Sequence, residues 1–226
     1  MHLVPPGAIR SPRDLAPLID HTLLAPDATR ADLERVCAEA REHRFAAVCV
    51  HAASVAEARR LLAGTPVMAI AVVDFPRGEA ATPERVAGAL AAARAGAQEL
   101  DVVAPLPVLC AGRLEAALDD LRAVVQASPV PVKVILETAR LSRDQKVAAA
   151  ALCRCAGAAY VKTSTGFGGG GATVEDVALL RAVVGDALGV KASGGVRTAA
   201  AAIALVRAGA SRIGSSHSVA IVNGAF

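Results

Sequence analysis

Tyr160-Val161-Lys162-Thr163-Ser164, then Thr173, then Gly189-Val190-Lys191-Ala192-Ser193-Gly194-Gly195 read as a strand, a helix start and a second strand. Each apolar run is short, β-branched and closed by Ser, Thr or Gly, as expected for a strand buried on both faces. The segment between them is rich in Ala, Leu, Val and Arg, and Thr173 is a natural helix cap. Working outward, the same unit recurs along the chain. Apolar runs fall at residues 18–23, 46–50, 67–75, 99–103, 132–137, 160–163, 189–192 and 212–214, which makes eight.

Helical signals lie between them. Ser54-x-x-Glu57 and Ser142-x-x-Gln145 have capping-box spacing, and Pro83 after Thr82 suits a first helical position. Asp27 reads as a further cap, while Gly96, Gly157 and Gly209 stand where helices should end. Strands alternating with helices indicate a parallel sheet covered by helices. Eight such units close most simply as an α/β fold of the (β/α)8 barrel type, one domain over residues 1–226. The first seventeen residues are expected as an extension outside the barrel or across its bottom. An open doubly wound sheet would carry a dinucleotide fingerprint after its first strand, and Leu23-Leu24-Ala25-Pro26 offers none.

Composition narrows the chemistry. Apolar residues make up 54% of the chain but aromatics only 2%, which argues against a stacking surface for nucleic-acid bases. The formal charge of +3 is small and scattered, so neither nucleic acid nor a membrane surface is expected as a partner. Cys37, Cys49, Cys110, Cys153 and Cys155 lack metal-ligand spacing and read as buried, reduced thiols. No signal-peptide run or ~18-residue apolar span is present, so a cytoplasmic protein is expected.

Active sites of such barrels lie at the C-terminal ends of the strands. Polar residues there include Asp20, His21, Thr22, Cys49, Asp74, Asp101, Lys133, Glu137, Lys162, Thr163, Ser164, Lys191, Ser193, Ser215 and Ser216. A lone strand lysine can snorkel to the rim, but Lys162 and Lys191 on consecutive strands are harder to explain by packing. Neighbouring strands are ~4.8 Å apart, so the two amines can meet. An amine attacks a carbonyl only when deprotonated, and burial beside a second ammonium favours that state. Asp101, two strands from Lys162, is placed to move protons. A purely structural Asp–Lys pair is the alternative, and it would leave one lysine unpaired. Gly194-Gly195 and Gly214-Ser215-Ser216 follow the last two strands, where barrels often hold phosphate, with 216–223 as a short extra helix. An imine-forming enzyme of a small sugar phosphate follows.

The residues also carry a family resemblance. Ile19-Asp20-His21-Thr22-Leu23-Leu24, Ala47-Val48-Cys49-Val50-His51, residues 132–138, Val161-Lys162-Thr163-Ser164-Thr165-Gly166-Phe167, residues 171–176, residues 190–198 and Arg212-Ile213-Gly214 resemble the 2-deoxyribose-5-phosphate aldolases, DeoC-type class I aldolases, over nearly the whole chain. The resemblance implies that Lys162 forms the imine, Lys191 lowers its basicity and Asp101 relays protons. It also implies cleavage to acetaldehyde and glyceraldehyde 3-phosphate, without metal or organic cofactor. Asp20, Thr22, Cys49, Lys133, Thr165, Gly166, Gly194, Gly195, Gly214, Ser215 and Ser216 are the expected substrate- and phosphate-binding residues, with a homodimer as the assembly to test. Another Schiff-base aldolase and a non-catalytic phosphate-binding relative remain as alternatives.

The sequence departs from the family pattern in places. Asp74 replaces a glycine before Phe75-Pro76, with a role at the mouth and an orientation away from it equally open. His217 replaces a serine. Gly168 to Gly171 suggests a mobile lid, and the C-terminal tyrosine of some members is absent, the chain ending at Phe226. His21 and His51 are expected to hydrogen-bond at the barrel rim, His2 and His43 to lie on the surface, and Lys133 to line the mouth near Glu137.

Overall fold

The computed structural model describes residues 4–224 apart from Pro6; the position expected for His2 and the chain end at Phe226 lie outside them. Eight parallel strands close into a barrel in chain order: β1 Ile19–Leu23, β2 Ala47–His51, β3 Met68–Val73, β4 Glu99–Val103, β5 Val132–Ile135, β6 Tyr160–Lys162, β7 Gly189–Ser193 and β8 Arg212–Ser215, which pairs back onto β1. The outer layer comprises α1 Arg30–His43, α2 Val55–Leu61, α3 Thr82–Arg94, α4 Leu106–Cys110, α5 Leu114–Ala127, α6 Arg143–Ala156, α7 Val174–Val184, α8 Ala199–Arg207 and α9 Ser218–Asn223. The barrel expected from the eight-fold pattern is the fold found.

Strand parity sorts the side chains into two environments. Outward residues such as Val48, Ala71, Leu100, Val134, Val190 and Ile213 pack with Val36, Ala89, Leu121, Ala149 and Leu180 of the helices. The many alanines let helices approach the strands closely. Inside the barrel the two sides differ. Ala47, Cys49, Ile70 and Val72, on β2 and β3, form a separate apolar cluster with Leu24. The remaining strands turn Asp20, Glu99, Asp101, Lys133, Lys162, Lys191 and Arg212 into buried positions.

The start and stop signals fared unevenly. Ser142 and Gln145 form their capping box and Thr173 caps α7. Asp27 does not cap α1; Thr29 does, in a reciprocal box with Asp32. Ser54 has helical dihedrals and no capping bond, because a 3-10 turn at Ala52–Ser54 already leads into α2. Helix α3 starts at Thr82, so Pro83 occupies its second position. Gly157 caps α6 in the left-handed conformation, and Gly96 and Gly209 follow α3 and α8 with positive φ. The N-terminal segment forms a 3-10 turn, Pro12–Leu18, that buries Leu15 and packs on α8 and α9, so it lies outside the barrel.

Candidate active site

Lys162 closes β6 and stands directly opposite Lys191 of β7 in the parallel register. Both side chains turn inward and meet the same atom: Asp101 Oδ2 accepts from Lys162 Nζ at 2.8 Å and from Lys191 Nζ at 2.7 Å. The three residues singled out from the sequence are therefore in contact. Asp101 Oδ1 also accepts from Lys133 Nζ at 3.1 Å. The expectation that an Asp–Lys pair would strand one lysine fails, since a carboxylate has lone pairs enough for all three donors.

The electrostatics follow from these contacts. Burial pushes Asp101 upward, but Lys162, Lys191 and Lys133 outweigh it and hold the carboxyl well below the usual carboxylate range. Burial works against the Lys191 ammonium, yet Asp101 and Asp20 hold its pKa above the ordinary lysine value. Asp101 and Asp20 thus favour the charged form of Lys191.

A cavity of about 420 Å³ opens above this cluster. Lys162 reaches its wall, as do Thr22, Thr165, Gly166, Gly194, Gly195, Gly214, Ser215 and Ser216, all expected from the sequence. Asp20, Cys49 and Lys133 do not line it, and lie beneath its floor instead. The Asp20 carboxylate is taken by Lys191 (2.5 Å) and Arg212 (2.8 Å). Burial raises Asp20, but Arg212, Lys191 and Lys133 bring it down to about 2. Cys49 Sγ lies 4.0 Å from Asp101 Oδ2, and burial pushes its thiol up to about 11. Lys133 is paired with Glu99 at 2.5 Å rather than with Glu137. The register explains its depth: Lys133 pairs with Tyr160, and Ile135 is the residue level with Lys162.

Hydrogen bonds fix the strand ends. Thr163 Oγ1 donates to Ser193 O and accepts from Ser193 N, both at 3.1 Å, and Ser193 Oγ donates to Ser164 O at 2.6 Å. Glu137 accepts from Thr165 N at 3.1 Å and from the Thr165 hydroxyl. Ser215 Oγ donates to Val196 O and accepts from His217 N. Gly214 leaves room for Lys191 and Ser193: a Cβ there would stand 2.9 Å from Ser193 Cβ and 3.1 Å from Lys191 Cε. Helix α9 begins at Ser218, two residues later than expected, with His217 at its cap and lining the cavity.

Several peripheral expectations change. Three of the four glycines at 168–171 are closely packed, while Gly168 and Gly169 are exposed and a Cβ on Gly169 would meet nothing within 4 Å. A Cβ on Gly168 would run into the Glu137 carboxyl at 2.6 Å, one on Gly170 into Ala139 and one on Gly171 into Gly194 O. Ala172 N also donates to Gly194 O at 3.1 Å. Asp74 points away from the site. It adopts φ 50, accepts from Glu79 N and Ala80 N, and pairs with buried Arg85, which also holds Asp120 at 3.0 Å. The positive φ accounts for the glycine expected there. His21 faces outward, between Ser218 (2.9 Å) and Glu39 (2.7 Å), while His51 meets Leu24 O at 3.1 Å. His43 is half-buried and stacks on Phe45. Cys37, Cys49 and Cys153 are buried, whereas Cys110 and Cys155 are exposed; all five are unbridged.

Glu99, Arg212, Phe167 and Leu24 join the site or the barrel interior without being among the residues expected there from the sequence. Glu99 and Arg212 were findable by parity, lying two residues before Asp101 and Gly214 on inward-facing strands. Half-exposed Phe167 stands edge-on to Phe75 at the cavity wall. Phe167 belongs to the quoted family motif, but no physical signal in the sequence places it at the rim.

The sequence profile of the DeoC/LacD family of aldolases matches residues 15–224. The chain is 50% identical over 208 residues to a deoxyribose-phosphate aldolase of Brevibacillus brevis, covering 92% of this chain and 94% of that one. It is 48% identical over 212 residues to a deoxyribose-phosphate aldolase of Alkaliphilus oremlandii, with 93% and 96% covered. The solved deoxyribose phosphate aldolase of Aeropyrum pernix, a tetramer, superposes with a TM-score of 0.88 at 33% identity, covering 95% of this chain and 92% of that one. With matches spanning nearly the whole chain, the chain belongs to the DeoC/LacD family of aldolases.

Proposed function

We propose that the protein is a class I aldolase that reversibly cleaves 2-deoxy-D-ribose 5-phosphate to acetaldehyde and D-glyceraldehyde 3-phosphate, with Lys162 as the nucleophile. One observation carries the assignment of roles: of the three lysines on Asp101, Lys162 alone reaches the cavity wall. A substrate carbonyl can meet Lys162, whereas Lys191 and Asp101 act from beneath.

The chemistry then runs as follows. Lys162 gives a proton to its surroundings and its neutral amine adds to the C1 aldehyde of the open-chain sugar. Loss of water leaves a protonated imine, which draws electrons from the C2–C3 bond. Deprotonation of the C3 hydroxyl breaks that bond and releases glyceraldehyde 3-phosphate. The remaining enamine takes a proton at C2, and water hydrolyses the imine to free acetaldehyde. Asp101, 2.8 Å from Lys162 Nζ, is the group best placed to carry protons in these steps, directly or through water. Lys191 stays charged, and its field favours the neutral form of the neighbouring amine. The main-chain turns at Gly194-Gly195 and Gly214-Ser215-Ser216, with His217 beside them, suit the phosphate. We infer a homodimer as the smallest assembly, to be checked by light scattering.

Borohydride reduction in the presence of acetaldehyde tests the reading. A mass increase mapped to Lys162, lost in Lys162→Leu, is the expected result; an adduct retained elsewhere refutes the assignment. Release of glyceraldehyde 3-phosphate from 2-deoxyribose 5-phosphate in a coupled assay separates this substrate from those of other imine-forming aldolases.

A further inference from the structure

Beneath the cavity the buried charges form a closed circuit. Asp101 Oδ1 meets Lys133 (3.1 Å), and Lys133 meets Glu99 Oε2 (2.5 Å). Glu99 Oε1 meets Arg212 Nη2 (3.3 Å), and Arg212 Nη1 meets Asp20 Oδ1 (2.8 Å). Asp20 Oδ2 then meets Lys191 (2.5 Å), which returns to Asp101 Oδ2 (2.7 Å). Each carboxylate gives one oxygen to each of two cations. Three anions alternate with three cations, so the ring carries no net charge. Lys162 is attached to it at Asp101 Oδ2 but is not part of it.

Packing alone does not call for this ring. The other side of the same barrel interior is filled with Ala47, Cys49, Ile70 and Val72. Buried ion pairs are often no more stabilising than apolar residues of similar volume, because desolvation offsets the attraction. Glu99, Lys133 and Arg212 do not line the cavity, and Lys133 lies a level below Lys162.

We propose that Glu99, Lys133 and Arg212 are positioning residues, completing a neutral ring whose charge balance sets the pH at which the Lys162 amine becomes available for attack. The proposal rests on Lys162 being the imine-forming residue. The groups that face this amine are Asp101 from β4, Lys191 from β7 and Cys49 from β2. Behind them stand Asp20 from β1, Glu99 from β4, Lys133 from β5 and Arg212 from β8, with the Tyr160 ring 5.8 Å from Lys133 Nζ. Removing an anion leaves the ring positive and favours the neutral amine. Removing a cation does the reverse.

The test is the acidic limb of kcat/KM for 2-deoxyribose 5-phosphate, which reports groups of the free enzyme. Glu99→Gln should move that limb to lower pH and Lys133→Met to higher pH, each by about one pH unit, as for one charge acting across roughly 10 Å at an effective dielectric of about 20. The double variant restores neutrality and should return the limb to its parental position, with KM at the plateau unchanged throughout. Arg212→Lys keeps the charge and should leave the limb in place, whereas Arg212→Met should move it as Lys133→Met does; this pair supplies the comparison if a Lys133 variant does not fold. A purely structural ring predicts lower melting temperatures with no opposed shifts, so limbs that stay put or move the same way overturn the proposal. Absence of any borohydride adduct in the parent protein overturns the aldolase reading itself, while adduct formation with an unmoved limb overturns the ring alone.

Discussion

At the scale of single residues, the site works by division of labour among side chains of similar chemistry. Lys162, Lys191 and Lys133 all touch Asp101, yet their depths differ, and only the shallowest meets the cavity. Lys191→Leu leaves Asp20 and Asp101 short of a cation and makes Lys162 the chief partner of Asp101 Oδ2. The expected outcome is a kcat/KM profile displaced to higher pH, with a loss of about 10² or more at neutral pH, comparable to removal of an acid–base partner; a pH–rate series measures both. The sequence made the upper residues legible because lysine on a barrel strand is conspicuous. It did not reveal depth. Lys133 is expected from the sequence at the mouth because it faces inward, and only the register between β5 and β6 places it a level below Lys162. Asp74 was likewise ambiguous until its positive φ turned the carboxylate toward Arg85.

At the scale of elements, strand and helix identities were readable because eight apolar runs recur between capped helices. Helix starts were less so: Asp27 and Ser54 are good caps in isolation, but Thr29 with Asp32, and the 3-10 turn before α2, took their places. The glycine-rich loop after β6 shows the same limit. Glycine permits mobility and close packing alike, and here Gly168, Gly170 and Gly171 are closely packed while Gly169 stands open. Helix α3 is tied to the barrel by Arg85, which meets Asp74 after β3, Asp120 on α5 and Val103 O on β4. Arg85→Met should leave buried Asp120 and half-buried Asp74 without their cation and cost about 3–5 kcal/mol, with kcat unchanged in the folded fraction. Urea denaturation alongside initial-rate measurements checks both halves of that statement.

For the molecule as a whole, the buried titratable groups set how it tolerates acid. Asp20 is held at about 2 and Asp101 well below the usual range, so each contributes stability that is present above their unfolded values near pH 4 and is lost as pH falls toward 2. His21 acts earlier. Burial, opposed by Glu39, lowers its pKa below 6.5, so the unfolded chain binds its proton first and stability declines once pH drops below that value. Melting temperature against pH should therefore be level between about pH 7 and 8, decline gently below 6.5 and drop steeply below 4. His21→Gln should remove the first decline and Asp20→Asn should blunt the second.

The ring beneath the cavity also divides the chain in two. Its carboxylates, Asp20, Glu99 and Asp101, all come from β1 to β4, while Lys133, Lys162, Lys191 and Arg212 all come from β5 to β8. Each half-barrel alone would hold its share of the ring's charges, all of one sign, without their partners, and Asp20 and Arg212 lie 192 residues apart. A nascent chain thus exposes an acidic half first and cannot bury it cheaply until its basic complement has been synthesised. The ring beneath the cavity is, in time, also a lock that closes only once β8 has joined β1.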